Sequence, residues 1–163
     1  NKAWLLKSLK EGEIDIALLD EEHIVDSNLD VMTVEKVPYV LITGKKNITL
    51  ENVADYPLIT RSNVPNNAKA INLLEEKYKI SFDNRITVLG SLEVIKGMVR
   101  NEIANVILPY YAVHKEIKSG EFKVVEQLNE IKDGYQVVVT KDKSTLTPII
   151  KFLNFMSEYK ING

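Results

Sequence analysis

A short polar run with one arginine follows a predicted buried strand, and it is the strongest candidate for ligand chemistry in this chain. Leu58–Thr60 forms the strand, and Arg61, Ser62 and Asn63 leave its carboxyl end. Open α/β sheets collect ligands at the carboxyl ends of strands, beside helix N-termini with free backbone N–H groups. Arg61 can pair with a carboxylate or a phosphate, and the hydroxyls of Thr60 and Ser62 can hydrogen-bond the same anion. The alternative is that Arg61 is only a solvated surface charge.

Ser91 is a second candidate, because it stands at a predicted helix start with Glu93 in the first turn. Its hydroxyl, with Leu92 beside it, can face a ligand, or Ser91 can simply cap the helix. Ser91 can have both roles if the start of this helix borders the ligand site. Ile107 and Pro109 lie at the end of another predicted strand, where they would line the wall of the site or form only a buried strand end.

Catalysis and metal binding have few candidate residues in this sequence. The chain has no cysteine and two histidines, His23 and His114. His23 follows the acidic residues 20–22, and this group could hold a divalent metal or act as acid and base, although such acidic loops are usually only solvated. No nucleophile-elbow, phosphate-loop or glycine-rich dinucleotide motif is present. We therefore predict no enzyme, no metal site and no cofactor.

Composition limits the class of protein. With 45% hydrophobic residues, the 163-residue chain can bury a core as one domain or as two small lobes. Its formal net charge is −2 and its 21 basic residues are spread along the chain, so this part shows no nucleic-acid surface. The lack of cysteine fits a reducing cytoplasm, and no apolar run approaches the roughly 20 residues of a membrane span.

Strand and helix patterns alternate along nearly the whole chain, which predicts an α/β fold with a mainly parallel sheet and crossover helices. The first helix should stop at Gly12, which can adopt the left-handed conformation. Apolar stripes predict helices around residues 70–78 and 94–99, and Thr147 can cap the last helix. The predicted strands are Ile14–Leu19, Met32–Lys36, Tyr39–Thr43, Leu58–Thr60, Ile86–Leu89, Val106–Leu108, Phe122–Val125 and Tyr135–Thr140.

Two stretches, Val34–Pro38 and the region around Gly134–Val137, could carry the chain between two lobes. They bracket about a hundred residues, which is a size that one small lobe can have. Such a double crossing makes a hinge with a cleft between the lobes.

Five segments follow one another in an order that points to a family. They are GEIDIA (12–17), NVADYPLI (52–59), SLEVIKGMV (91–99) with ILP (107–109), SGEFKVV (119–125) and FL (152–153). Together they resemble the effector-binding domain of LysR-type transcriptional regulators over nearly the whole chain, although no single segment is specific. The family commonly has two glycines where this chain has Glu-Ile-Ala at 102–104, so non-glycine residues must satisfy that turn.

The resemblance implies a two-lobed fold, similar to type 2 periplasmic binding proteins, with mixed sheets and crossover helices. Residues 1–37 and 138–163 would form a first lobe that lacks its leading strand and helix, and residues 38–137 would form the second lobe. A small-molecule effector would bind in the cleft between them. The full-length bacterial regulator would be a cytoplasmic homodimer or tetramer that binds DNA only through an N-terminal winged helix-turn-helix, which this chain lacks.

The hypothesis that follows is a ligand-sensing regulatory domain for a small anionic metabolite, with no membrane partner. A solute-binding protein of similar bilobal fold is the alternative, and an enzyme lobe of related fold is a third. The expected effector-binding residues are Thr60, Arg61, Ser62, Asn63, Ser91, Leu92, Ile107 and Pro109.

Overall fold

A computed structural model describes residues 2–20, 24–62 and 64–158. Five helices and six strands are interspersed along this part of the chain, with two short 3-10 turns at Val53–Asp55 and Tyr110–Ala112. The helices are α1 (Lys2–Lys10), α2 (Pro65–Tyr78), α3 (Leu92–Arg100), α4 (His114–Lys118) and α5 (Thr147–Glu158). The strands are β1 (Ile16–Asp20), β2 (Leu29–Thr43), β3 (Leu58–Thr60), β4 (Arg85–Thr87), β5 (Asn105–Pro109) and β6 (Lys123–Thr140).

The chain divides into two compact units. The first comprises Asn1–Lys36 and Asp133–Gly163, and the second comprises Val37–Lys132. Strand order is β1-β6-β2-β5-β3-β4, and the long strands β2 and β6 each contribute residues to both units.

In the first unit, β1 pairs antiparallel with the last part of β6, and α1 packs on one face of this pair. Gly12 ends α1 with φ +75°, as the sequence predicts. The N–H of Gly12 donates to the Leu9 carbonyl at 3.2 Å, and the N–H of Glu13 donates to the Ser8 carbonyl at 2.9 Å. These two bonds satisfy carbonyls that the end of a helix otherwise leaves open. The buried apolar cluster of this unit consists of Leu9, Ala17, Leu19, Leu29 and Val138.

In the second unit, the sheet mixes parallel and antiparallel neighbours. β3 runs parallel to both β4 and β5, whereas β2 runs antiparallel to β5. With the antiparallel pair β1 and β6 in the first unit, the prediction of a mainly parallel sheet is wrong. The physical reason is that an alternation of strand and helix patterns does not fix the direction of each strand, and antiparallel neighbours need no crossover helix between them.

The sequence predicted four strands where the structure has two long ones. Tyr39 is the first β2 residue paired with β5, so Pro38, which has no N–H to donate, lies outside that ladder and does not interrupt the strand. The second predicted crossing, around Gly134–Val137, likewise lies inside β6, where the N–H of Gly134 donates to the Asp133 carboxylate at 3.0 Å. The predicted strands Met32–Lys36 and Tyr39–Thr43 therefore merge in β2, and Phe122–Val125 and Tyr135–Thr140 merge in β6.

In the sheet of the second unit, alternate residues of a strand belong to two separate cores, one on each face. Tyr39 and Leu41 belong to the cluster that contains the α2 residues Ala70, Ile71 and Leu74. Their neighbours at 40 and 42 belong to the cluster that contains Ile95 and Val99 of α3. Because side chains alternate across a strand, α2 covers one face of the sheet and α3 covers the other.

Glu102 takes the place of the family's turn glycine after α3. It has φ +58°, in the left-handed region that favours glycine. The N–H of Glu102 donates to the Val99 carbonyl and the N–H of Ile103 donates to the Met98 carbonyl, each at 3.0 Å. The helix thus ends with the same two bonds as α1, but with a side chain in the strained position.

Candidate functional site

The carboxyl ends of β3 and β4 lie side by side in the second unit. The two strands are parallel and in register, so Thr60 stands opposite Thr87. Their Oγ1 atoms are 3.1 Å apart and share a hydrogen bond. The N–H of Val88 then donates to the Thr60 carbonyl at 3.0 Å. This edge of the sheet therefore presents two hydroxyls on a fixed backbone.

Asn67 positions the polar loop that leaves β3. Its side chain is 2% exposed and bridges two elements. The Oδ1 atom accepts the N–H of Arg61 at 3.0 Å, and the Nδ2 atom donates to the Ile107 carbonyl in β5 at 3.1 Å. A turn bond from the N–H of Val64 to the Arg61 carbonyl, at 3.1 Å, closes the loop before α2 begins. Both backbone polar groups of Arg61, its N–H and its carbonyl, are therefore hydrogen-bonded.

These residues surround an open cavity of about 280 Å³, which we call the β3–β4 pocket. Its volume is close to the lower limit of ligand pockets, which are roughly 300–1,000 Å³. Seven of the nine lining residues have polar side chains, and Ala68 and the buried Ile71 are the apolar ones, but the exposed surface of the pocket is more apolar than polar. The pocket is lined by Thr60, Arg61, Ser62, Asn67, Ala68, Ile71, Asn72, Arg85 and Thr87.

The two arginines of the pocket differ in their partners. Arg85 donates through Nη2 to the Glu75 carboxylate and through Nε to the Phe82 carbonyl, both at 2.7 Å. Arg61 is a half-buried residue, and its guanidinium pairs with no carboxylate among the described residues. Arg61 therefore supplies a positive charge that the described part of the protein does not neutralise.

The first turn of α2 adds a partial positive charge to the same place. Val64 precedes the helix and makes no side-chain cap, and Pro65 occupies the first helical position. No acidic residue lies in this turn. A 14-residue helix whose N-terminus lacks an acidic or capping side chain favours an anion near its first N–H groups.

The structure brings three of the predicted site residues together. Thr60, Arg61 and Ser62 line one pocket, while Asn63 lies outside the described residues. Ser91 caps α3, since its Oγ accepts the N–H of Val94 at 3.4 Å. This is the structural role weighed as the alternative, and a second role toward a ligand stays a prediction.

The remaining predicted residues do not line the β3–β4 pocket. Leu92 packs half-buried against the core under α3, and Pro109 is buried at the end of β5. The Ile107 side chain is 1% exposed and lies in the core under α2. Its carbonyl, and not its side chain, reaches the site through Asn67.

Sequence reasoning missed Asn67, Asn72, Arg85 and Thr87. Nothing local distinguishes Asn67 from other polar residues at a helix start. Thr87 follows Thr60 by 27 positions and is placed beside it only by strand register. No local signal marked Thr87, because the predicted strand Ile86–Leu89 runs past it, whereas β4 ends there.

The histidines provide no catalytic arrangement in the described part of the chain. His23 and the acidic residues 21 and 22 lie outside the described residues. Nδ1 of His114 is 2.9 Å from the Tyr111 carbonyl, and its ring is tilted against Tyr110 at 6.1 Å between centroids. No group of three or more possible metal-binding side chains occurs among the described residues. In that same part, no helix has the length and apolar character needed to cross a membrane.

A family model for the LysR substrate binding domain matches residues 1–160. The chain belongs to the LysR substrate-binding domain family. No curated protein matches it by sequence. The family has the type 2 periplasmic-binding-protein-like fold, so the predicted α/β class and fold are confirmed. Membership also favours a domain of a transcriptional regulator over the solute-binding protein kept as the alternative.

Solved structures of LysR-type regulators share this fold. Vibrio fischeri DarR, solved in complex with DNA, has 16% identity and a TM-score of 0.77, and the alignment covers 98% of this chain and 56% of DarR. The regulatory domain of HypT from Salmonella typhimurium has 18% identity and a TM-score of 0.68, and the alignment covers 94% of this chain and 76% of the HypT chain. The Synechocystis PCC6803 CcmR regulatory domain, solved in complex with 2-PG, has 19% identity and a TM-score of 0.62, and the alignment covers 96% of this chain and 78% of the CcmR chain.

Proposed function

We propose that this LysR substrate-binding domain senses a small anionic metabolite through the β3–β4 pocket. The observation that carries the proposal is Arg61, a half-buried residue in the lining of this pocket whose guanidinium has no carboxylate partner among the described residues. An arginine offers a fork of N–H donors that matches carboxylate and phosphate geometry. The uncapped first turn of α2 favours the same charge.

In the full-length regulator, effector binding controls how the protein binds DNA. The chain spans 56% of DarR, the relative solved with DNA, and we propose that DNA is bound outside this domain. Differential affinity of the effector for two conformations supplies the energy of the switch. We propose a homodimer or tetramer in the cytoplasm, without a catalytic step. The family match supports a binding role rather than an enzymatic one.

The proposed domains are a first lobe at residues 1–37 and 138–163 and a second lobe at 38–137. The two compact units, whose boundaries fall at Lys36 and Asp133, support this division. In this arrangement the β3–β4 pocket belongs to the second lobe, together with Ser91.

A thermal-shift screen of organic acids, amino acids and inorganic anions tests the proposal, because a ligand of the native state raises the Tm by mass action. Arg61→Ala should weaken the affinity of each anion that binds by about tenfold or more, while changing stability by less than about 0.5 kcal/mol. Ser91→Ala should also weaken binding, with a stability cost of about 0.5–1 kcal/mol for the lost cap.

Lys118→Ala is the matched control, because it removes an exposed positive charge on α4, outside the pocket. It should leave affinity unchanged. If Arg61→Ala and Lys118→Ala weaken binding equally, the anion responds to net charge and the proposed site is wrong. If neither Arg61→Ala nor Ser91→Ala changes affinity, the site lies elsewhere.

A further inference from the structure

The β3–β4 pocket has two arginines but only one uncompensated charge. The Glu75 carboxylate accepts from Arg85 at 2.7 Å and from the Phe82 N–H at 2.8 Å. These bonds hold the carboxylate in place and pair it with Arg85. Among the lining residues, all of which are described, Arg61 is the other charged side chain. The net charge available to a ligand in this lining is therefore that of one arginine.

The other polar groups of the lining are neutral. The hydroxyls of Thr60 and Thr87 bond each other, which uses one proton and leaves one O–H free to donate. Ser62 and Asn72 are exposed and add a hydroxyl and an amide. Asn67 is already committed to backbone partners on both of its polar atoms. The pocket thus combines one cation with several neutral donors and acceptors.

We infer that the effector is a small monoanion that carries hydroxyl groups, such as a hydroxy monocarboxylate. This inference rests on the proposed function and specifies the ligand class of the same site. One carboxylate matches Arg61, and hydroxyls on the ligand match the neutral groups. A second carboxylate would lose hydration without gaining a free cation, which is unfavourable. The volume of about 280 Å³, near the lower limit of ligand pockets, favours a small ligand.

Isothermal titration of the protein at pH 8 with two matched sets of anions tests the inference. Glycolate, lactate and glycerate are hydroxy monocarboxylates, whereas malonate, succinate and malate are dianions at this pH. We expect the tightest hydroxy monocarboxylate to bind at least about tenfold more tightly than any dianion. Propionate, which matches lactate without its hydroxyl, should bind about fivefold or more weakly than lactate.

Glu75→Gln is the discriminating variant. The glutamine Oε1 can still accept the Phe82 N–H, but the charge that neutralises Arg85 is removed. Malate affinity should then rise by about two- to fivefold, a modest gain because the Arg85 side chain is 43% exposed. Affinity of the Glu75→Gln variant for the hydroxy monocarboxylates should stay within about twofold of wild type, and Arg61→Ala should weaken their binding by about tenfold or more.

The outcomes separate the inference from the proposed function. If wild-type protein prefers dianions and Arg61→Ala removes that binding, the monoanion class is wrong and the anion site stands. If propionate binds as tightly as lactate, the hydroxyl requirement is wrong. If none of the anions binds, both the inference and the proposed anion site are wrong.

Discussion

Replacing Asn67 with alanine should destabilise the second unit, because two backbone groups lose their partner at once. The variant removes the acceptor of the Arg61 N–H and the donor to the Ile107 carbonyl. A buried polar group left without a partner costs about 1–3 kcal/mol. Ile107 is 1% exposed, so its carbonyl should carry a full cost, whereas the half-buried Arg61 N–H can partly recover a bond to water. We expect a loss of about 2–4 kcal/mol in the free energy of unfolding.

Urea unfolding followed by far-UV circular dichroism measures this loss, because Trp4, the single tryptophan, belongs to the first unit and would report on the wrong part. A loss of 2–4 kcal/mol corresponds to a fall in Tm of about 4–16 °C for a chain of this size. Anion affinity should fall as well, since Arg61 loses its backbone anchor.

Two variants sharpen the Asn67 experiment. Asn67→Asp keeps the acceptor for Arg61 but loses the donor to Ile107 and buries a carboxylate beside that carbonyl, so it should destabilise at least as much as alanine. Asn72→Ala removes an exposed asparagine from the same helix and should change stability by less than about 0.5 kcal/mol. A loss below about 1 kcal/mol for Asn67→Ala would refute the bridging role.

Three further predictions concern the packing around α3. Glu102→Gly should raise stability by about 1 kcal/mol, because it relieves a side chain at φ +58°, and an unchanged Tm would contradict this. Gly44→Ala should cost at least about 1–3 kcal/mol, because its Cβ would lie 2.2 Å from a carbonyl oxygen of α3, whereas Gly97→Ala, whose Cβ meets nothing within 4 Å, should cost nothing. Lys96→Met should cost about 3–5 kcal/mol at neutral pH, because Lys96 pairs with the largely buried Glu116 carboxylate at 2.8 Å, and the double variant with Glu116→Gln should recover much of the loss. Burial raises the pKa of Glu116, but the Lys96 hydrogen bond and the other favourable contacts outweigh burial and hold the pKa below the ordinary value of 4.5. The pair therefore stabilises the wild type above about pH 4.5. Urea titrations at a series of pH values should show this contribution to the free energy of unfolding fading as the pH falls through the lowered pKa.

The local elements of this fold are predictable from residue patterns, but strand continuity and direction are not. Leu58–Thr60 is a strand as predicted, and the apolar stripe around residues 70–78 packs in the core as α2. The sequence pattern predicts one strand that ends before Pro38 and another that begins after it, yet the cost of proline depends on whether a partner strand needs the missing N–H. That need is set by where β5 begins to pair, which is a tertiary fact. Short α4 was not predicted for a related reason, since five residues carry too little periodicity.

The site also has a part that the sequence predicts and a part that depends on tertiary contacts. Thr60, Arg61 and Ser62 could be proposed because they follow a strand directly and because arginine has a specific anion chemistry. The pairing of Arg85 with Glu75 joins positions ten apart on a helix and a strand, and it decides how many charges the pocket offers. No sequence pattern reports whether an arginine is already neutralised. Arg61 alone predicts an anion, whereas the preference for a single negative charge depends on the contact between Arg85 and Glu75.

The start of α2 supports a ligand role for the pocket by what it does with its polar groups. A serine or aspartate before Pro65 would cap the helix and add about 1 kcal/mol of stability, but the chain has Val64 there. Asn67, in the first turn, turns its side chain to Arg61 and Ile107 instead of to the helix end. The first N–H groups thus lack a side-chain cap beside an arginine without a carboxylate partner in the described chain. Stability alone would favour neutralising both groups within the protein, whereas an anion from solution can satisfy both at once.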